Sequence, residues 1–322
     1  MRISKERLEA VTETTGFRAE VLEKVIHLLS LLNGFRSHPF LNKRLVLKGG
    51  TALNLFNFNL PRLSVDIDLN YIGAVERETM LAERPNVEEA IRATCTREGF
   101  AVRKIPEEHA GGKWLLRYES ALGQGGNLQV DLNFIFRIPL WPVKTLNSHP
   151  VGPHEAKGIQ VLDIHEIAAG KLCALMARHQ ARDLFDSHQL LCRDDLELKR
   201  LRLAFVAYGA MNRKDWRMVS LEDVSFEADE LSLQLIPLLR IRSTEENQAP
   251  VSYGKRLVKE CRDKLSVVLP LTDSETEFLN LLLDKGEIAP SLLTSDKDMQ
   301  DRISRHPLLE WKALNVREYK GR

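Results

Sequence analysis

The stretch Val46–Tyr71, V-L-K-G-G-T-A-L-N-L-F-N-F-N-L-P-R-L-S-V-D-I-D-L-N-Y, carries the information that decides how this chain folds. Leu45, Val46 and Leu47 read as a short strand. Gly49 and Gly50 turn the chain, Thr51 follows, and Ala52, Leu53, Leu55 and Phe56 recur at helical spacing. Beyond a turn at Pro61, Leu63 to Asn70 reads as a second strand bearing Asp66 and Asp68. Residues two apart on a strand share a face, so both carboxylates project together while Val65, Ile67 and Leu69 face the other way. Like charges side by side repel unless something positive sits between them. Mg²⁺ takes oxygen ligands, usually one or two carboxylates with substrate phosphates. Glycines admit close backbone approach, and N–H groups opening the next helix can hold a phosphate. Strand, glycine turn, helix and Asp-x-Asp strand, within about one βαβ-like unit, are thus a layout for a metal-bound nucleoside triphosphate. Either half alone says little, because Gly-Gly-Thr is a common turn and Asp-x-Asp a common solvated edge.

Three further strands are expected at Phe100 to Ile105, Trp114 to Glu119 and Leu128 to Phe136, separated by turns at Gly111-Gly112 and Gly123 to Gly126. The last, L-Q-V-D-L-N-F-I-F, sets Asp131 among apolar neighbours, where an uncompensated carboxylate is costly. If it lies beside the Asp66/Asp68 strand, three carboxylates converge, and two Mg²⁺ ions could bridge the attacking hydroxyl and the triphosphate. The alternative is a strand-end Asp paired with a nearby Lys or Arg. Ser64, two residues before Asp66, shares the carboxylate face; it contacts a phosphate or metal-bound water, or hydrogen-bonds a neighbouring chain. Amphipathic helices are expected from about Lys5 to Asn33, with Leu22, Val25, Ile26, Leu29 and Leu32 inward and Gly34 as its stop, and from about Met80 to Glu98.

With 322 residues, 43% hydrophobic and 28% charged, the chain has ample material for a core. A net charge of +1 argues against a large basic nucleic-acid coat, though not against a local basic cleft. The N-terminus is charged where a signal peptide needs an apolar core, no run is long enough to span a membrane, and four scattered cysteines fit reduced thiols in the cytoplasm. Pro139, Pro142, Pro150 and Pro153 mark a linker, after which the chain reads as mainly helical.

The first segment past that boundary is V-L-D-I-H-E-I-A-A-G-K-L-C-A-L-M-A-R-H-Q-A-R-D-L-F-D-S-H-Q-L-L. Asp163 can cap a helix whose core face is Ile167, Leu172, Leu175 and Met176, with Lys171 in a small-residue stretch open to close approach. His165-Glu166 lacks a histidine at the zincin spacing, and His179 and His188 read as packing or surface residues. Basic clusters at Lys199 to Arg202, Arg213 to Arg217, Arg240 to Arg242 and Lys255 to Arg262, with Trp216, Tyr253 and Trp311, would suit a groove for a phosphate backbone and unpaired bases. Helical breaks are expected near Asn247 to Pro250, Pro270 and Pro290.

K-G-G-T-A-L, a short helix and R-L-S-V-D-I-D-L resemble the signature of the AbiEii-type nucleotidyltransferases, toxins of bacterial toxin–antitoxin and phage-defence pairs within the DNA polymerase β-like superfamily. The second segment resembles that family's G-K-L-x-A-L followed by R-D-x-x-D. The resemblance implies an α/β (α+β) fold: a nucleotidyltransferase-like mixed sheet with flanking helices over residues 1–150, then a mainly helical domain over 151–322 contributing Lys171 and Asp183 to the site. It implies NMP transfer from an NTP to an acceptor hydroxyl, at the 3′ end of tRNA, blocking translation. Asp66, Asp68 and Asp131 would hold Mg²⁺, with Mn²⁺ as a substitute. Gly49, Gly50, Thr51, Ser64 and Lys171 would meet the phosphates, and Lys48, Arg62, Arg182 and Asp186 would support them. Asp183 is favoured over Asp186 as the active-site member, Asp186 otherwise fixing Arg182 or Lys171. A cognate antitoxin is the expected partner. A nucleotidyltransferase acting on a small molecule or protein, and an NTP-binding module without turnover, are the competing readings.

Overall fold

A computed structural model describes residues 3–105, 111–241 and 250–320; Arg242 and Asn247 lie outside them. The chain forms two compact units, Met1–Arg137 with Pro142–Leu162 and Ile236–Asn247, and Ile138–Trp141 with Asp163–Leu235 and Gln248–Arg322. The sequence suggested one crossing at 150/151. Instead residues 151–162 stay with the first unit, because the strand at Ile159–Val161 pairs into its sheet.

The first unit is built on a seven-stranded mixed sheet, ordered β3-β4-β5-β2-β1-β7-β6. Its strands are β1 (Leu45–Lys48), β2 (Asp66–Tyr71), β3 (Ala101–Ile105), β4 (Gly111–Glu119), β5 (Gly125–Asn133), β6 (Lys144–Leu146) and β7 (Ile159–Val161). β2 is parallel to β5, but β1 and β2 are antiparallel, so the opening motif is not a parallel βαβ crossover. Its connection folds back beside its own strand. Gly111 and Gly112 are the first residues of β4 rather than a turn. The proline-rich segment supplies only β6, a three-residue edge strand confined to the proline-free stretch between Pro142 and Pro150.

Two-residue periodicity sorts the sheet into two faces. Ile67, Leu69, Trp114, Leu116, Val130 and Leu132 are buried on one of them. Helix α2 (Ala19–Ser37) packs there, His27 stacking on Tyr118 at 4.1 Å between ring centroids. The expected inward residues Leu22, Val25, Ile26, Leu29 and Leu32 are all buried. Gly16, at φ +75, ends a separate first helix, α1 (Lys5–Thr15). Gly34 does not stop α2; it lies inside the helix's last turn, where a Cβ would meet Thr94 of α4 (Arg77–Arg97) at 3.1 Å. Its lack of a side chain serves helix–helix approach.

The second unit is helical. Asp163 caps α5 (Ile164–Arg178) by accepting from the His165 N–H at 2.9 Å. The small-residue stretch around Gly170 is approached by Tyr208 of α7 (Leu198–Ala210). Between these in sequence comes α6 (Ala181–Leu191), and Pro250–Lys264, Asp273–Asn280, Lys297–Ser304 and Pro307–Lys320 continue the helical array.

Candidate active site

The polar face of the sheet holds one row that crosses four strands. Lys48 of β1 is in register with Asp68 of β2, Asp68 with Asp131 of β5, and Asp131 with Lys113 of β4. Two carboxylates therefore stand side by side with a lysine at each end. Asp66 is one strand repeat away on the same face, opposite Gln129. Parallel pairing of β2 with β5 brings Asp131 beside the Asp-x-Asp pair.

Gly49 shapes the floor of this row. Its φ of +71 lies in the left-handed region, and a Cβ there would fall 2.3 Å from Asp68 Oδ2. Only glycine lets the backbone lie flat against that carboxylate. From Gly49 the chain enters a helical turn, α3 (Gly49–Thr51), that widens into a π-helical stretch at Ala52–Asn57. Such widened turns recur at functional sites.

The side chains of Thr51 and Ser64 bond within the protein, which for Ser64 is the second of its two expected roles. Thr51 is fully buried, and its hydroxyl donates to the Asp66 carbonyl at 2.5 Å. The same hydroxyl also donates to Ser64 Oγ at 3.0 Å, sharing its one proton between the two acceptors. Both side chains pin the start of β2 to the glycine turn rather than reaching for a phosphate. Ser64 precedes the strand, which begins at Asp66 and not at Leu63. Arg62 is buried and donates to the Leu63 carbonyl at 2.8 Å, bracing the approach to β2. The Lys48 ammonium sits 5.9 Å from the Phe136 ring centroid.

Asp131 has two unlike edges. Gln129 Nε2 donates to Oδ2 at 3.0 Å, and Lys113 Nζ lies 3.8 Å from the same oxygen. Oδ1 is buried and accepts no hydrogen bond. Burial pushes the Asp131 carboxyl above its ordinary range, and the neighbouring Asp68 and Asp66 charges add to this, while Lys113 and Gln129 oppose it. The strand-end pairing considered as the alternative thus coexists with the carboxylate row. Lys113 carries no mark in the sequence by itself; the signal is the antiparallel match of K-W-L-L-R-Y (residues 113–118) to G-N-L-Q-V-D (residues 126–131), which aligns Lys113 with Asp131.

These residues fit a hard divalent cation. The donors are all carboxylate oxygen, Asp131 Oδ1 lacks a partner, and Gly49 leaves the space a side chain would fill. Among the described residues no group of three His, Cys, Asp or Glu is already disposed around a metal, so closure on an ion needs rotation of these side chains.

Within the second unit, Lys171 forms its own cluster. Its Nζ lies 2.9 Å from Asp183 Oδ1 and 2.8 Å from Asp186 Oδ2. Asp183 also accepts from Arg178 at 2.9 Å, so two cations balance two buried carboxylates. Asp186 fixes Lys171, as one of the two expected roles had it, and Arg178, unnoticed in the sequence, is the guanidinium on Asp183. Arg182 is half-buried on α6. Five residues before Lys171, Glu166 is buried, accepting from the Trp141 N–H at 3.2 Å and from the Tyr208 hydroxyl at 3.0 Å. Burial pushes its carboxyl up to about 7 against those donors. His165 donates from Nδ1 to Asp163 and accepts the Glu197 N–H at Nε2, a structural role. Trp216 and Tyr253 are buried and cannot stack on bases; Trp311 is 61% exposed.

A glycine turn under an Asp-x-Asp strand, with a third Asp on its parallel neighbour, defines a nucleotidyltransferase-type site. The family model described as "Nucleotidyl transferase AbiEii toxin, Type IV TA system" matches residues 30–276. The chain belongs to that family: it is a nucleotidyltransferase toxin of the type IV toxin–antitoxin class. The matched region contains both motif segments, Val46–Tyr71 and the one around Lys171. Among solved structures, the chain is similar to MenT4, nucleotidyltransferase toxin Rv2826c from Mycobacterium tuberculosis H37Rv, at 18% identity and a TM-score of 0.61, over 96% of this chain and 99% of that one. That likeness is one of fold. Comparison with curated proteins gives no match. Enzymes of this class use divalent metal ions and NTP substrates, and the family implies an antitoxin partner. Among the described residues no helix is long and apolar enough to cross a membrane.

Proposed function

We propose that the protein acts in the cytoplasm, transferring a nucleoside monophosphate from an NTP to a hydroxyl at the 3′ end of tRNA with Mg²⁺ held by Asp66, Asp68 and Asp131. The observation that carries this reading is the Asp68–Asp131 pairing over Gly49. Bound there, Mg²⁺ would neutralise phosphate charge and lower the pKa of the acceptor hydroxyl. The acceptor oxygen attacks the α-phosphorus, the bond to the bridging oxygen breaks, and pyrophosphate leaves. The Gly50 and Thr51 N–H groups serve the phosphates, and the Thr51–Asp66 hydrogen bond fixes the carboxylates relative to that turn. The family resemblance of the second segment supports Lys171 as a further positive charge for the triphosphate, and within its own unit Asp183 and Asp186 hold its ammonium in place. Support for tRNA comes from the family resemblance of both motif segments. Blocking the 3′ end would stop aminoacylation, which accounts for toxicity.

The test is incubation of purified protein with Mg²⁺, each α-³²P-labelled NTP in turn and total tRNA, with Asp66→Ala as control. Label entering tRNA and lost in the variant is the expected result, and it names the nucleotide. Label confined to small molecules or protein replaces the tRNA reading; the burial of Trp216 and Tyr253 makes this the second outcome of interest. Nucleotide bound in the presence of Mg²⁺ without product would indicate a binding module.

A further inference from the structure

Lys113 stands at the end of the carboxylate row with no role so far. It is on β4, in register with Asp131, and its side chain is about 40% exposed. A lysine that exposed can extend into water at little cost. Here its ammonium turns to Asp131 Oδ2, the oxygen already held by Gln129, and leaves the buried Oδ1 unpartnered. One edge of the carboxylate is crowded with donors, and the other has no protein donor to give up when a side-chain rotation turns it to an ion.

Resting on the metal-site reading above, we propose that Lys113 is a built-in counter-ion that offsets the Asp68–Asp131 charge until a divalent cation arrives, and so sets how tightly that cation binds. Lys113 carries a fixed positive charge, and any cation entering the row is repelled by it. The attraction between Lys113 and Asp131 across 3.8 Å, with which an arriving cation must compete, is worth about five-fold in an equilibrium constant in a water-like medium, and more where solvent is excluded. The free enzyme consequently binds metal weakly. A triphosphate, bringing its own negative charge, offsets Lys113 and draws the metal in with it, so that metal loading follows the nucleotide. Lys113 is in this sense a positioning residue acting through Asp131.

The test measures Mn²⁺ binding to the full chain at pH 8 without nucleotide, by loss of the free-ion electron paramagnetic resonance signal. The variants are Lys113→Met, Lys113→Gln, Lys113→Arg and Asp131→Asn, each checked for wild-type melting. Both neutral variants are expected to bind Mn²⁺ about five-fold tighter or more, Lys113→Arg to stay near wild type, and Asp131→Asn to bind more weakly. Two neutral substitutions guard against a local defect from one of them. Unchanged or weaker Mn²⁺ binding in folded Lys113→Met and Lys113→Gln overturns the counter-ion role while leaving the metal site standing. Mn²⁺ binding absent from wild type and from both neutral Lys113 variants alike, or Lys113→Met binding that is unchanged when Asp131→Asn is combined with it, overturns the metal site and the counter-ion together.

Discussion

Gly49→Ala tests the site geometry without removing a functional group. Two costs can be separated. The first is backbone: at φ +71 an alanine enters the left-handed region at about 1–2 kcal/mol. In a domain of this size that lowers Tm by roughly 2–8 °C. The second is specific to the site. The new Cβ would lie 2.3 Å from Asp68 Oδ2 and 3.1 Å from its carboxyl carbon. A carbon–oxygen contact relaxes near about 3.3 Å, so the carboxylate must retreat by about 1 Å. A displacement of about 1 Å at a reacting centre costs on the order of 10²-fold in rate. Gly99→Ala is the matched control, because Gly99 also has positive φ, at +93, but a Cβ there meets nothing within 4 Å. The assays are thermal melting and NMP incorporation for both variants. The expectation is similar small losses of Tm, with activity falling about hundredfold in Gly49→Ala alone. Gly49→Ala within a few-fold of wild-type activity would refute the claim that Asp68 acts from the position shown.

Lys171→Met removes the ammonium shared by the buried Asp183 and Asp186, and removing one partner of a buried ion pair costs about 3–5 kcal/mol, so a large fall in denaturation midpoint should accompany loss of activity. Adding Asp186→Asn to that variant should recover part of the stability but none of the activity. Glu166 gives a pH signature. Its folded pKa of about 7 is above the ordinary 4.5, so between those values the folded state holds more proton than the unfolded, and stability falls as pH rises from about 4.5 to about 7. Chemical denaturation of Glu166→Gln across that window should be flatter than wild type; an unchanged profile would remove Glu166 as its source. Trp216→Ala should cost about 3–5 kcal/mol as a core truncation, whereas Trp311→Ala, at a 61% exposed site, should stay within about 0.5 kcal/mol. Equal effects, measured by melting, would contradict the burial that removes Trp216 from any base-stacking surface.

The parts of this fold that could be read from sequence are those where one residue's chemistry conflicts with its surroundings. Asp131 in an apolar strand and the Asp66/Asp68 alternation each required an explanation, and β2–β5 pairing supplies the same one for both. The antiparallel course of β1 and β2 could not be read. Between Lys48 and Asp66 the chain makes a helical turn and a further bend, enough to return it in either direction, and hydrophobic alternation is blind to strand direction. Thr51 and Ser64 stay ambiguous in sequence for a related reason: a hydroxyl beside a carboxylate suits a ligand and a backbone clamp equally, and only their distances to each other and to the Asp66 carbonyl separate the two. Lys113 was invisible because a lysine alternating with apolar residues on a strand is the ordinary mark of a solvated face. Its meaning comes from Asp131, opposite it across a strand boundary 18 positions later in the chain. Pairing register therefore turns a set of locally ambiguous residues into a charge row, and the substitutions most informative about function are those that change one member of that row while keeping its register.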